Sequence, residues 1–151
     1  MEFAWNTEKN KMSDIKGKEM EQERKGKISN EEIDLDKTHL NYDLVESNKN
    51  LYQRVKDRVE EVRAVSRIQK NSVVDYSNII TVPKEQFEKW GLDKSKKYLE
   101  EVYNYFCEEF GKENVVSAKV HLDETTPHMH LTFIPVIHTK DEQGNAVDKI
   151  C

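Results

Sequence analysis

The sequence has few cysteines, no long apolar run and no surplus of basic charge. Its two cysteines, Cys107 and Cys151, lie far apart and form neither a CxxC pair nor a zinc knuckle, so both read as free thiols suited to a reducing compartment. No stretch approaches the roughly 18 apolar residues of a membrane span, and no apolar signal core follows the first charges. These absences set the expectation of a cytoplasmic protein without a membrane partner. Twenty-four Lys and Arg against 29 Asp and Glu give a net charge of −5, which excludes a generally basic surface and confines any nucleic-acid contact to local patches. Internal repeats are absent too.

What is present is enough for one domain. The 151 residues are 36% hydrophobic and 35% charged, and the periodicity of the apolar positions argues for folding rather than disorder. The most informative stretch is His121 to His130, HLDETTPHMH, which holds three of the five histidines. Val116, Ala118, Val120 and Leu122 alternate with Ser117, Lys119, His121 and Asp123, the period-two pattern of a strand with one apolar face. After a turn ending at Pro127 the alternation resumes, with Met129, Leu131 and Phe133 on one face and His128, His130 and Thr132 on the other. Paired as a hairpin, the strands put both apolar sets on one side and His121, His128 and His130 together on the other. Neutral imidazoles are common ligands of divalent metals, and three of them leave coordination positions for water or substrate. Asp123 and Glu124 in the turn are placed to hold imidazole N–H groups, to ligate directly or to accept a proton. Ligand type alone suggests zinc.

Around the hairpin the pattern predicts α+β architecture, a mostly antiparallel sheet backed by two main helices. Residues 2–9 carry a weak strand signal. The polar segment from Asp14 to Asn30 reads as a loop or a short helix. Leu51, Val55, Val59, Val62, Val65 and Ile68 recur at steps of three and four, one apolar face of a helix. Arg54, Lys56, Arg58, Arg63, Arg67 and Lys70 concentrate positive charge there and read mainly as its solvated face. Residues 72–82 are β-branched and suit a central strand ended by Pro83. A helical turn before Gly91 precedes a helix capped by Asp93, whose stripe includes Tyr98, Leu99, Val102, Phe106 and Phe110 and which Gly111 stops. The sheet's apolar face is expected to bury against the two helices, its histidine face opening to a groove that the polar N-terminal segment covers.

The histidine stretch resembles the three-histidine motif of plasmid mobilisation relaxases of the Pre/Mob (MobV) family, which are HUH endonucleases. A second block, His39-Leu40-Asn41-Tyr42-Asp43-Leu44, resembles another signature of that family in the expected order, and the likeness runs from about Phe3 to Val136. It implies an HUH relaxase-like fold over residues 1–151, ending short of the family's usual extent. It also implies DNA nicking at a plasmid transfer origin by metal-assisted transesterification, with a transient protein–DNA link. The implied partner is plasmid DNA, single-stranded or as the origin hairpin, and the implied cofactor is manganese or magnesium held by His121, His128 and His130. Where the family carries His-Asn-x-Arg, this chain has Glu21-Gln22-Glu23-Arg24, so Glu21 stands in the place of the attacking histidine and Arg24 keeps its own. The resemblance gives Glu124 the part of base or orienting group and Arg24 that of a phosphate contact. Tyr42 is a second candidate for attack, or a residue for base stacking or packing. A DNA-binding domain without the histidine nucleophile is the alternative reading, and a small-molecule metallohydrolase is a third.

Overall fold

The computed structural model describes residues 4–25, 33–63, 73–140 and 142–150. Its frame is a five-stranded antiparallel sheet of β1 (Ala4–Lys11), β2 (Tyr42–Asp43), β3 (Val73–Thr81), β4 (Val115–His121) and β5 (His128–Phe133), in the order β1-β3-β5-β4-β2. Three longer helices accompany it: α1 (Met12–Gln22), α2 (Leu51–Arg63) and α3 (Lys84–Phe110). A separate hairpin of β6 (Val136–Lys140) and β7 (Ala146–Ile150) follows the sheet, its two strands paired antiparallel. Among the described residues no helix is long and apolar enough to cross a membrane.

Two apolar clusters sit on opposite faces of the sheet. On one face Leu99 and Phe106 of α3 cover Ile80, Ala118, Val120, Met129, Leu131 and Phe133, all buried. On the other, Leu51, Val55 and Val59 of α2 and Ile15 of α1 cover Val74, Val116 and Ile134. The α+β arrangement on a mostly antiparallel sheet is as the pattern predicts, with α1 as a third helix beside the two expected. The sides differ, because α2 shares the histidine face instead of joining α3. Val116 changes sides for a local reason: a bulge between Val115 and Ser117 inserts a residue against β5, so the alternation read from Val116 onward holds only from Ser117.

The helices form where the apolar stripes lie, with exceptions. The Asn50 side chain accepts from the Gln53 N–H at 2.8 Å and caps α2, whose Leu51, Val55, Val59 and Val62 are at most 4% exposed. Val65 and Ile68 of the expected stripe lie outside the described residues, as do Arg67 and Lys70. Arg54 and Arg58 reach inward instead of presenting a solvated face: Arg54 Nη1 bonds Asp43 at 2.6 Å, and Arg58 Nε bonds Asn114 Oδ1 at 2.8 Å. Helix α3 joins the two expected segments across Gly91, whose φ of 77° breaks the helical path without a Cβ penalty.

The polar N-terminal segment forms helix α1 as far as Gln22, with Ile15 as its one fully buried apolar side chain, and residues 26–30 lie outside the described residues. Polar anchors hold the rest. The Lys11 N–H donates to Asp14 at 2.9 Å at its start, and Glu19 accepts from the Tyr52 N–H at 3.1 Å. It ends in a Schellman-type turn, Lys25 N–H to Met20 O at 2.8 Å, with Arg24 in the left-handed region at φ 55°. That turn aims the Arg24 side chain at the histidine hairpin.

Candidate metal centre

The register of β4 and β5 brings the three histidines together. His121 lies opposite His128 and Lys119 opposite His130, so all three imidazoles leave one face of the hairpin. Ring centroids are 4.5 Å apart for His121 and His130, 5.1 Å for His121 and His128, and 5.2 Å for His128 and His130. One nitrogen from each falls within 4.8 Å of the others.

Backbone carbonyls set which nitrogens face inward. His121 Nε2 lies 2.8 Å from the Gln22 carbonyl oxygen, which can only accept, so Nε2 carries the proton and Nδ1 turns its lone pair to the cluster. His128 Nδ1 likewise meets the Thr126 carbonyl at 3.3 Å, leaving Nε2 to face His121 Nδ1 at 3.3 Å. The Gln22 carbonyl is one of those that the end of α1 leaves without an intrahelical partner, so the helix terminus and the imidazole satisfy each other. Burial pushes His121 down to about 3, outweighing the Gln22 hydrogen bond, with Arg24 and His128 adding to the shift. Burial and the neighbouring cations hold His130 well below the ordinary range as well. Both rings are neutral at pH 7 and offer lone pairs.

The turn adds carboxylates. Asp123 is fully buried and takes Nε and Nη2 of Arg24 on its two oxygens, each at 2.9 Å, and Thr38 Oγ1 at 2.9 Å. Burial alone raises its pKa, but these hydrogen bonds and the guanidinium charge outweigh that and hold the group below the usual carboxylate range. Arg24 Nη2 also lies 3.2 Å from His121 Nδ1 and 3.4 Å from Glu124. Glu124 reaches His128 Nε2, on the inner side of the cluster. A carboxylate oxygen and an imidazole nitrogen in contact require a proton or a cation between them, so the donor set suits a divalent ion.

The remaining site candidates separate. Glu21, exposed in the last turn of α1, borders a cavity of ~20 Å3 together with His130, Asn6, Ser77 and Ile79. On its other side it borders an open groove of ~580 Å3 with Glu8, Asn10, Asp14 and Lys18. Arg24 is 7% exposed at its side chain, where it bonds Asp123 and lies 3.4 Å from Glu124. Tyr42 pairs with Val120 and so shares the α3 face; it stands one position from His121 but on the opposite side of the sheet, which removes it as a reserve attacking group at this centre. Sequence reasoning missed the Gln22 carbonyl and Thr38. Thr38 immediately precedes the His39–Leu44 block, and adjacency was the only signal for it. That block works as an edge clasp: the Asn41 side chain accepts from Leu122 N–H at 2.7 Å, and Asp43 accepts from Ala118 N–H at 2.9 Å.

The family model described as plasmid recombination enzyme, Mob_Pre, matches residues 2–149. The chain belongs to that family. A plasmid recombination enzyme of a Bacillus species is 36% identical over 146 residues, covering 94% of this chain and 35% of the relative's length. One from Streptococcus agalactiae is 39% identical over 110 residues, covering 71% of this chain and 22% of its own. The chain thus spans about a third of the length of the curated relatives it matches. Among solved structures, the manganese-bound MobM relaxase domain on plasmid pMV158 oriT DNA of 22 nucleotides with a 3′ thiophosphate superposes with a TM-score of 0.83 at 32% identity. It covers 96% of this chain and 74% of that one. The same domain on 26-nucleotide oriT DNA gives 0.72 at 29% identity, covering 96% and 72%. Fold, family and the histidine cluster therefore agree with the relaxase resemblance read from the sequence.

Proposed function

We propose that this chain acts on single-stranded DNA at a plasmid origin, holding a divalent cation on His121, His128 and His130 and cutting one strand by transesterification. The observation that carries the reading is the convergence of three imidazole nitrogens, one of whose rings, His130, lines the cavity that Glu21 borders. Likeness to a manganese-bound relaxase domain on oriT DNA supports it and favours manganese or magnesium, although zinc also suits the imidazoles. A cation held there supplies charge neutralisation at the scissile phosphate.

The protein's own groups do the rest. A Glu21 oxygen attacks phosphorus, the bond to the 3′ oxygen breaks, and that oxygen leaves as a hydroxyl after taking a proton from water. The 5′ phosphoryl group stays on Glu21 as an acyl phosphate, and attack by a 3′ hydroxyl reverses the step. A carboxylate nucleophile needs no base to remove a proton in the forward direction. Glu124, against His128 and Arg24, then acts by orienting His128 and ligating, and by accepting the 3′ hydroxyl proton on rejoining. Arg24 works through Asp123 as a positioning residue.

A second reading, an origin-binding domain without cleavage, draws on the carboxylate at position 21 where the family motif has histidine. Incubation of the wild-type chain, Glu21→Gln and Glu21→His with manganese and an origin-bearing plasmid decides between them. Nicking by wild type and its loss in Glu21→Gln support the cleavage reading. Nicking by Glu21→His alone supports the binding reading, and unchanged nicking by Glu21→Gln removes Glu21 from the reaction.

A further inference from the structure

On the sheet face away from the histidines, β2 and the first half of α3 enclose an open groove of ~530 Å3 lined by Tyr42, Leu44, Asp93, Lys96, Lys97 and Glu100. It combines one aromatic ring with two lysines and two carboxylates. The Tyr42 ring is half-buried against the core, with Lys96 Nζ 5.2 Å from its centroid. An aromatic face that accepts a cation accepts a base by stacking. Among the described residues neither Lys96 nor Lys97 stands in an ion pair, and both line the groove beside the Tyr42 ring. In a chain of net charge −5, two unpaired neighbouring lysines beside an open aromatic ring are complementary to a phosphate. Asp93 and Glu100 supply acceptors, which suit the exocyclic amino group of cytosine or adenine and not the carbonyl edge of thymine. Burial and Glu100 push the Tyr42 pKa up.

Position links the groove to the metal centre. Tyr42 lies opposite Val120, the residue before His121, on a two-residue strand at the sheet's edge. A strand held at the histidines and passing around that short edge meets Tyr42 next.

We propose that this groove binds one nucleotide of single-stranded DNA flanking the site of cleavage, its base stacked on Tyr42, its phosphate on Lys96 and Lys97, and its amino group on Asp93 or Glu100. The inference rests on the reading that the chain handles single-stranded DNA, and it extends that contact to the far face of the sheet.

The test uses the whole chain and 5′-labelled single-stranded origin oligonucleotides carrying 5-iodocytosine at successive positions. After irradiation, cross-linked peptides are mapped, and one position is expected to join the peptide containing Tyr42. In anisotropy titrations Tyr42→Leu is expected to weaken binding about tenfold and Tyr42→Phe to restore it. The double variant Lys96→Gln and Lys97→Gln is expected to lower the slope of log affinity against log salt by about 1.4, two contacts at ~0.7 each for single strands. Thymine at the cross-linking position is expected to bind less tightly than cytosine, and Glu100→Gln with Asp93→Asn to erase the difference. Cross-links confined to other peptides, or wild-type affinity and salt slope in these variants, overturn the groove assignment while leaving DNA handling at the histidines intact. Failure of the wild-type chain to bind single-stranded DNA at all overturns both readings. Thermal melts of each variant that match wild type tie any loss of binding to the groove and not to unfolding.

Discussion

Arg24 and Asp123, 99 residues apart in the chain, meet through two parallel hydrogen bonds of 2.9 Å in a buried pair that fastens the end of α1 to the histidine turn. The bidentate geometry fits a guanidinium and not an ammonium. Arg24 holds a left-handed backbone at φ 55°, which for a residue with a Cβ costs about 1 kcal/mol. The pair with Asp123 is the compensation.

Arg24→Ala strands a buried carboxylate and should destabilise the fold by about 3 kcal/mol in urea unfolding at pH 7. It also unfastens the histidine turn at Asp123, so affinity for manganese should fall roughly tenfold or more in calorimetry. Arg24→Lys keeps the charge but not the fork and should recover only part of either loss. Full recovery by lysine would show that charge alone matters.

The hairpin was legible because its pattern is local. From Ser117 onward each residue's face follows from its parity, and His121, His128 and His130 needed only one turn to meet. Other features were hidden for physical reasons. The stripe of Val55 and Leu99 says that each helix buries a face but not which side of the sheet it meets, and α2 lies with the histidines. Helix α1 lacks a stripe, because Glu19 and the Gln22 carbonyl do what apolar side chains do elsewhere. The bulge at Val116 carries no sequence mark, since valine suits either face. Tyr42 was a candidate for attack because of its phenolic oxygen, yet it pairs with Val120 and not with His121, which puts it behind the sheet.

Asp75 gives a pH signature. It is fully buried; one oxygen accepts from Asn10 Nδ2 at 2.9 Å and the other has no partner, so burial pushes its pKa up to about 7. The folded state therefore holds this proton more tightly than the unfolded chain, whose carboxyl titrates near 4. The cost of burying the group is nil below pH 4, grows as pH rises toward 7 and is constant above it. Asp75→Asn retains an acceptor for Asn10 and removes the charge. It should stabilise the protein by about 2–4 kcal/mol at pH 8 and by much less at pH 4. Equal shifts at both pH values would mean that Asp75 is not the titrating group.

Gly91 permits a sharper test of local backbone strain. Its φ of 77° lies where a side chain is disfavoured, although a Cβ there would meet nothing within 4 Å. Gly91→Ala should thus lower stability by about 1–2 kcal/mol through the backbone alone. A melting temperature equal to wild type would show that the two halves of α3 can join without the left-handed break.

The three histidines should differ in what their removal costs. His128 is partly exposed and its Nδ1 bond is to the nearby Thr126 carbonyl, so His128→Ala should abolish manganese binding while leaving the metal-free fold within about 1 kcal/mol of wild type. His121 is fully buried and donates to the Gln22 carbonyl, so His121→Ala removes the same ligand chemistry and also frees the end of α1. Losing that partner from a buried carbonyl should add about 1–3 kcal/mol of destabilisation, with faster amide exchange in α1. Calorimetric manganese titration paired with urea unfolding separates the two effects. Retained manganese binding in His128→Ala would dismantle the three-histidine centre, and equal stability losses in both variants would detach His121 from the helix that covers it.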